Sequence, residues 1–236
     1  MIKTCTLYIS FCLAFGVTPV EAAERPIVVE LFTSQGCSSC PPADALLAEL
    51  ASRSEVLTLS FHVDYWDRLG WKDPFSSPAA TERQEHYAEL LRLATVYTPQ
   101  MVVDGKWQAV GSDRAEVEDA LVSARRLHAE VPVALAVDHG LAQIKIGASS
   151  DQLSGAGVVL IGFDRRHTTT VARGENSGRT LAHVDVVRGV EKVASFDGRA
   201  SAIEVPIRWQ CDRVAAIVQA RSGEILGVAV GDAEPL

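Results

Sequence analysis

Two cysteines separated by two residues are the part of this sequence best suited to chemistry. Cys37 and Cys40 stand between an apolar run and a run with helical spacing. A pair with this spacing can exchange disulfides, bind a soft metal ion or form a structural disulfide. A helix that begins just after the pair would lower the pKa of the first thiol, because its unpaired N–H groups and dipole favour a thiolate.

Residues 1–22 have the layout of a secretory signal peptide. Lys3 precedes an apolar stretch at residues 5–17, and small residues follow up to Ala23. The pattern predicts an exported chain, periplasmic or secreted, with no membrane span after cleavage. Export places the remaining cysteines in an oxidising compartment, where disulfides persist. Of these, Cys211 is expected to be a buried thiol rather than a third redox partner.

The composition is that of an acidic globular protein. The chain has 236 residues, 47% of them hydrophobic, and a formal net charge of −8. An acidic chain without a basic stripe is poorly suited to bind nucleic acid or an anionic membrane surface. No nucleic-acid partner is therefore expected.

Predicted strands and helices alternate in residues 23–130. Strands are predicted at 26–33, 55–66 and 98–110, and helices at 41–54, 79–94 and 113–130. The Asp104-Gly105 pair predicts a tight turn that splits the third strand into a hairpin. The order β-α-β-α-β-β-α predicts an α/β domain with a parallel first pair of strands and an antiparallel last pair.

After Val131 the pattern changes to short β-rich runs separated by Gly, Asp and Ser. About eight such runs, at a spacing of roughly 8–12 residues, are typical of a sandwich or barrel. Residues 131–236 are therefore predicted to form an all-β, sandwich-like C-terminal domain.

The first half resembles thioredoxin, in which a cysteine pair stands between the first strand and a helix. The resemblance implies a thioredoxin-like fold for residues 23–130. It also implies that Cys37 attacks a disulfide and that Cys40 resolves the mixed disulfide. Pro99, after Thr98, matches the cis-proline that faces the pair and exposes backbone to a substrate chain. An ordinary trans proline at a strand entry is the alternative.

Glu30 lies 37 − 30 = 7 positions before Cys37 on the first predicted strand. It resembles the buried carboxylate of thioredoxin, which has a raised pKa and could accept the proton of Cys40. An ion pair at a strand edge is the alternative. The sequence departs from thioredoxin in the dipeptide Ser38-Ser39 between the cysteines.

The segment 62–75 should leave the second strand close to the cysteines, because ligands gather at the carboxyl ends of parallel strands. Tyr65, Trp66, Trp71 and Phe75 could form an aromatic rim for an extended peptide. The alternative is a loop pinned by its own aromatic side chains. His62 could join the two cysteines on copper or zinc, although a closed zinc site needs a fourth ligand.

The segment 173–188, RGENSGRTLAHVDVVR, predicts a loop followed by a long strand. His183 and Asp185 alternate along that strand, so both should face the same side. They could form a ligand site with Arg173 and Arg179. A turn followed by a solvated strand face is the alternative.

Four segments carry a narrower resemblance that covers nearly the whole chain after the signal peptide. They are ELFTSQGCSSCPPAD, HVDYWDRLGWKDPFS, YTPQMVVDG and RGENSGRTLAHVDVVR. Together they are similar to the secreted bacterial proteins of the domain-of-unknown-function family 1223. The resemblance implies a location in the cell envelope and brings no substrate.

The sequence favours an exported thiol–disulfide oxidoreductase-like protein. Its expected partners are protein thiols or disulfides of the envelope and an electron donor or acceptor that the sequence does not name, and no cofactor is expected. Two alternatives stay open. One is a non-enzymatic envelope binding protein with a structural disulfide, and the other is a copper or zinc carrier that uses the same cysteines.

Overall fold

The computed structural model describes residues 25–126, 131–149 and 155–233. The predicted signal peptide lies outside these residues. Among the helices of the described residues, none combines the length and the apolar character that a membrane span requires.

Strands dominate the described part of the chain. They are β1 (Ile27–Thr33), β2 (Val56–His62), β3 (Gln100–Val103), β4 (Trp107–Val110), β5 (Val133–Asp138), β6 (Leu141–Ile146), β7 (Ala156–Thr170), β8 (Thr180–Phe196), β9 (Ser201–Pro206), β10 (Arg213–Gln219) and β11 (Ile225–Asp232). The helices are α1 (Pro41–Leu50), α2 (Pro78–Leu90) and α3 (Arg114–Arg125), with a 3-10 turn at Asp67–Leu69.

The local predictions for the first half are confirmed. Strands and helices follow the predicted order, β1 and β2 are parallel, and β3 and β4 are antiparallel. Asp104 and Gly105 form the hairpin turn with φ of 48° and 67°. Positive φ at both central residues is what a tight turn between twisted strands requires.

The predicted fold class is wrong. The structure is mostly β, with one mixed sheet in the order β11-β10-β7-β8-β2-β1-β3-β4 and a three-stranded sheet β5-β6-β9. It is not an α/β thioredoxin-like domain followed by an all-β sandwich. The reason is the parallel contact of β2 with β8, where Ser60 pairs with Val186. This contact covers the backbone groups that β2 would otherwise expose at a sheet edge, and the sheet continues across the predicted boundary at Val131.

The two faces of the eight-stranded sheet are covered differently. Along β1, Val29 and Leu31 pack against α1 and α3, whereas Val28 and Phe32 face the core that contains Tyr87 of α2. This alternation is the ordinary period of a strand. Further along the sheet, the strands β5, β6 and β9 pack on the face that α1 and α3 cover.

The second half contains one long hairpin and not short strands alone. β7 has 15 residues and β8 has 17, and β7 pairs antiparallel with β8 along almost its whole length. Arg165 and Arg166 do not interrupt β7, because both are exposed. β8 is thereby extended far enough to reach β2 and to place the loop before it beside the cysteines.

Candidate functional site

The cysteine pair lies in the turn between β1 and α1 and forms a disulfide. The N–H of Cys37 donates to the carbonyl of Ser34 (3.1 Å), and the N–H of Cys40 donates to the carbonyl of Cys37 (3.3 Å). α1 begins at Pro41, where a proline fits because the first helical turn has no acceptor for its N–H. The pair therefore lies at the positive end of the α1 dipole.

Both cysteines are buried, with 0% of each exposed. Ser38 and Ser39 form the exposed tip of the turn between them. The Ser39 hydroxyl lies 3.4 Å from Cys37 Sγ, where it can donate a hydrogen bond to a thiolate. A partner must move part of this turn to reach either sulfur.

The loop before β8 holds the turn in place. Asn176 is buried, and its Nδ2 donates to the carbonyls of Cys37 (2.9 Å) and Gln35 (3.0 Å). Arg179 donates to Asn176 Oδ1 (2.8 Å) and so fixes the orientation of the amide. Arg179 was predicted to form a ligand site with His183, and the structure shows it in this contact with Asn176.

Glu175 adds a second contact between this loop and the turn. Its Oε2 accepts from the backbone N–H of Ser38 (3.1 Å). Hydrogen bonds from the side chain and the backbone of Ser38 lower the pKa of Glu175 below its ordinary value. Arg173, the other arginine of the predicted ligand site, is exposed. The loop thus contacts the exposed tip as well as the buried base of the turn.

A cis peptide bond joins Thr98 and Pro99, as the sequence predicted. A Cβ added at Gly111 would lie 3.1 Å from Ala43 Cβ and 3.2 Å from Pro99 Cβ. Pro99 and the first turn of α1 therefore meet across this glycine, whose N–H donates to the Pro99 carbonyl (2.9 Å). The proline lies beside the end of α1 that follows the cysteine pair.

Trp66 connects the proline loop to the cysteine turn. Its Nε1 donates to Thr98 Oγ1 (2.8 Å). Its Cβ would lie 3.3 Å from a Cβ added at Gly36, the residue before Cys37. The absence of a side chain at Gly36 therefore lets the indole approach the turn.

The other residues of the predicted aromatic rim also contact the protein itself, and the Phe75 ring lies 5.4 Å from the ring of His62. Tyr65 donates to Gln84 Oε1 (3.2 Å), and Trp71 donates to Gln35 Oε1 (3.1 Å). Burial raises the pKa of Tyr65 to about 12. The rings of Tyr65, Trp66 and Trp71 are half-buried, and their polar atoms form hydrogen bonds within the protein. These contacts fit the alternative, a loop that its own aromatic side chains hold in place. Peptide binding by the rim stays a prediction.

Glu30 is buried but does not lie with the cysteines. Its carboxylate accepts from Arg83 Nε (2.5 Å) and from the Tyr87 hydroxyl, both on α2. The alternation along β1 puts Glu30 on the face opposite α1, whose residues pack against Val29 on the other face. Glu30 therefore forms an ion pair with Arg83, as in the alternative, but inside the sheet between β2 and β3 and not at a strand edge.

Buried polar residues lie behind the cysteine turn. His62 Nδ1 lies 2.7 Å from Asp73 Oδ2, which also accepts from the N–H of Gln35 (2.8 Å). Burial acts to raise the pKa of Asp73, but the charge and hydrogen bond of His62 and the N–H groups of Gln35 and Phe75 lower it below its ordinary value. Asp73 thus ties the turn to β2 as a carboxylate.

His183 extends this polar group toward α1. Its ring lies 4.7 Å from that of His62, and its Nδ1 lies 3.6 Å from Asp44 Oδ1. Asp44 Oδ1 accepts from Thr33 Oγ1 (3.0 Å), and the Asp44 N–H donates to the carbonyl of Cys40 (3.1 Å). Buried imidazoles and carboxylates thus form one group between β2, β8 and the first turn of α1.

His183 and Asp185 share a face of the sheet, as predicted. Asp185 accepts from Thr58 Oγ1, and Thr58 alternates with His62 on the same side of β2. Burial raises the pKa of Asp185 above its ordinary value. The shared face is thus part of the buried polar group rather than a solvated surface.

The structure does not bring a metal site together from the predicted ligands. Cys37 and Cys40 are bonded to each other, and His62 Nδ1 contacts Asp73. Across residues 25–126, 131–149 and 155–233, no three His, Cys, Asp or Glu side chains are grouped to hold a metal ion. Cys211 is a buried free thiol, as predicted, and its pKa is raised to about 11 by burial and by the charge of Asp164.

A family model described as "Protein of unknown function (DUF1223)" matches residues 28–220. The chain belongs to this family. The match spans the cysteine turn, the proline loop and the loop before β8, so the family includes all the elements that surround the disulfide. No match was found among curated proteins.

Two solved structures share the fold of this DUF1223 protein. A crystal structure of a protein from Agrobacterium tumefaciens is 34% identical and covers 89% of this chain and 95% of its own, with a TM-score of 0.76. HBP35 of Porphyromonas gingivalis is 16% identical and covers 89% of this chain and 77% of its own, with a TM-score of 0.65. At that identity, the second likeness shows the fold alone.

Sequence reasoning missed several residues that shape this DUF1223 site. Asn176 was predicted only as part of a loop, because its partners Gln35 and Cys37 lie 141 and 139 residues away. Asp73 was not singled out, although His62 lies only 11 residues before it. Asp44 left a usable signal, since it lies on the apolar face of α1 three residues before Leu47. A charged residue within an apolar stripe is unusual and predicts a buried polar partner.

Proposed function

We propose that this chain is an exported thiol–disulfide oxidoreductase-like protein that acts on protein thiols or disulfides of the cell envelope. The observation that carries the proposal is the Cys37–Cys40 disulfide at the start of α1, with the cis Thr98–Pro99 peptide beside the same helix end. The signal-peptide pattern of residues 1–22 supports export.

The exchange proceeds in two balanced steps. A substrate thiolate attacks Cys37 Sγ, so a substrate–Cys37 disulfide forms, the Cys37–Cys40 bond breaks, and Cys40 leaves as a thiolate. A second thiolate of the same substrate then attacks the substrate sulfur of the mixed disulfide. The substrate gains a disulfide, and Cys37 leaves as a thiolate. Two electrons pass from the substrate to the pair, and the reverse sequence reduces a substrate disulfide.

The surroundings of Cys37 suit it to be the attacked sulfur and the leaving thiolate. The positive end of the α1 dipole and the Ser39 hydroxyl, 3.4 Å away, both favour a thiolate at this position. Cys37 is also the cysteine whose carbonyl Asn176 holds. Displacement of the loop before β8 would therefore free Cys37.

A mixed disulfide trapped in an envelope extract tests this proposal. A Cys40→Ser variant keeps Cys37 but lacks the resolving thiol, so partners should accumulate in a covalent complex that reductant releases. Cys37→Ser is the matched control, because it removes the attacking thiol from the same turn. Absence of any complex with Cys40→Ser, or equal complexes with both variants, would refute the proposal.

The burial of both cysteines favours a second candidate, an envelope binding protein in which the disulfide is structural. In that case the Cys37→Ser variant should keep its function and lose stability. Removal of a native disulfide from a small exported domain typically costs about 2–5 kcal/mol. The copper or zinc carrier stays a weaker proposal, because it needs the disulfide reduced and His62 released from Asp73.

A further inference from the structure

A cavity of 560 Å³ lies on the sheet face that α2 covers, the face opposite α1 and the cysteine pair. Its walls come from α2, from β7 and β8, and from the turn after β10. Its volume is within the range of roughly 300–1,000 Å³ that is typical of small-molecule sites. The proposed redox chemistry makes no use of it.

The cavity is basic in a chain whose formal net charge is −8. Its charged and polar lining residues are Arg83, His86, Lys192, Ser195, Gln219 and Arg221. No carboxylate belongs to the lining within the described residues. Cationic groups that converge in a concave site raise the local concentration of anions.

Arg83 is fixed in place before any ligand arrives. Its Nε donates to Glu30 (2.5 Å), one Nη donates to the Tyr87 hydroxyl (3.0 Å), and the other contacts Gln219 Oε1 (3.4 Å). A guanidinium has five N–H groups, so two of them stay available to a ligand. Because the side chain is already ordered, binding costs less conformational entropy. Glu30 thus holds the Arg83 side chain in position in the wall of this cavity.

Lys192 and Arg221 supply charge that no neighbour neutralises. Both side chains are exposed, and neither forms an ion pair within the part of the chain that the structure describes. A Cβ added at Gly155 would lie 2.1 Å from Arg221 Nε, and one added at Gly157 would lie 3.3 Å from Lys192 Cε. The two glycines therefore let both cations lie across the start of β7.

We propose that this cavity binds a small molecule that carries at least two negatively charged oxygens, such as a phosphate or a polycarboxylate. One oxyanion would accept from the free N–H groups of Arg83, while Lys192 and Arg221 would hold the other charge. Charge-assisted hydrogen bonds of this kind are the strong ones, and the fork of a guanidinium matches such groups.

Isothermal titration of the chain without its signal peptide, at low ionic strength, tests the proposal with citrate and inorganic phosphate as probes and acetate as a singly charged control. We expect one citrate or phosphate site per chain and no comparable acetate site. The double variant Lys192→Gln/Arg221→Gln should weaken binding by at least about tenfold, because two charge-assisted contacts are lost.

The matched control is Lys145→Gln/Arg166→Gln, which removes two exposed cations elsewhere on the protein. Its affinity for the probes should stay within about twofold of the parent, since rim charges far from a site contribute little. The proposal is overturned if neither probe binds, if the cavity variant binds as tightly as the parent, or if both double variants lose affinity equally. The test does not depend on the redox chemistry of Cys37 and Cys40.

Discussion

Asn176→Ala is the substitution that probes the covering loop most sharply. One buried amide holds the carbonyls of Cys37 and Gln35, and the alanine leaves both without their donor. An unsatisfied buried polar group costs about 1–3 kcal/mol. If the turn relaxes to hydrate one of the two carbonyls, one carbonyl stays unsatisfied and the closed turn is destabilised by about 1–3 kcal/mol.

This destabilisation should appear in the reactivity of the disulfide. Because both sulfurs are buried, reduction by dithiothreitol requires the turn to open. A tenfold change in an equilibrium constant corresponds to about 1.4 kcal/mol, so Asn176→Ala should be reduced roughly 5 to 150 times faster than the parent. The rate is measured by thiol titration of the native protein over time, without denaturant.

Ser177→Ala is the matched control in the same loop. The Ser177 hydroxyl donates to the Ala172 carbonyl (3.1 Å) in an exposed contact, so its loss should change stability by less than about 0.5 kcal/mol. An unchanged reduction rate for Asn176→Ala would refute the argument that this amide limits access to the disulfide. Equal acceleration by the two variants would refute it as well.

Three further predictions test other parts of the account. Glu30→Gln should lower the free energy of unfolding in urea by about 3–5 kcal/mol, because it leaves a buried guanidinium without its partner. After reduction of the disulfide, it should leave the pH profile of Cys40 alkylation unchanged, and a shifted profile would restore the proton-acceptor role. Cys211 should react with iodoacetamide at pH 8 on the order of 100-fold more slowly in the native protein than in urea, because its pKa is about 11 when folded and about 8.5 when unfolded. The folded pKa is the higher one, so this thiol contributes stability below about pH 8.5 that is lost as the pH rises toward 11, and rapid native labelling would contradict its burial. Gly111→Ala should destabilise the protein by about 1–3 kcal/mol in thermal unfolding, since the new methyl group crowds Pro99, and an unchanged melting temperature would contradict that packing.

Local features of the fold could be predicted because neighbouring residues determine them. The turn at Asp104-Gly105 follows from the backbone freedom of its two residues, and the start of α1 at Pro41 follows from the proline itself. Cys211 was correctly predicted as a buried thiol. The cis peptide at Pro99 came from a resemblance, and the structure confirms it.

The joining of the two halves could not be predicted in the same way. The contact of β2 with β8 links Ser60 to Val186, and no local pattern identifies such distant partners. β2 was correctly predicted as a strand, but its apolar pattern does not reveal which strand covers its free edge. The predicted separation into an α/β unit and a sandwich failed at this contact.

Several residues of the candidate site could be named from the sequence, among them the cysteines, Pro99 and His62, but their contacts could not be predicted. Glu30 was placed wrongly because a residue's face depends on the register of the whole strand, and a shift of one position moves it to the other side. Asn176, which holds the cysteine turn, lies 139 residues from Cys37. Only the folded chain brings the two together.

The reduction potential of the Cys37–Cys40 pair, measured by equilibration with glutathione, tests the central claim most directly. A pair that exchanges disulfides should have a potential above about −280 mV, because catalytic dithiols range from about −270 to −120 mV. A potential below about −300 mV is typical of structural disulfides and would contradict the oxidoreductase proposal. That second result would favour a binding protein that the disulfide merely stabilises.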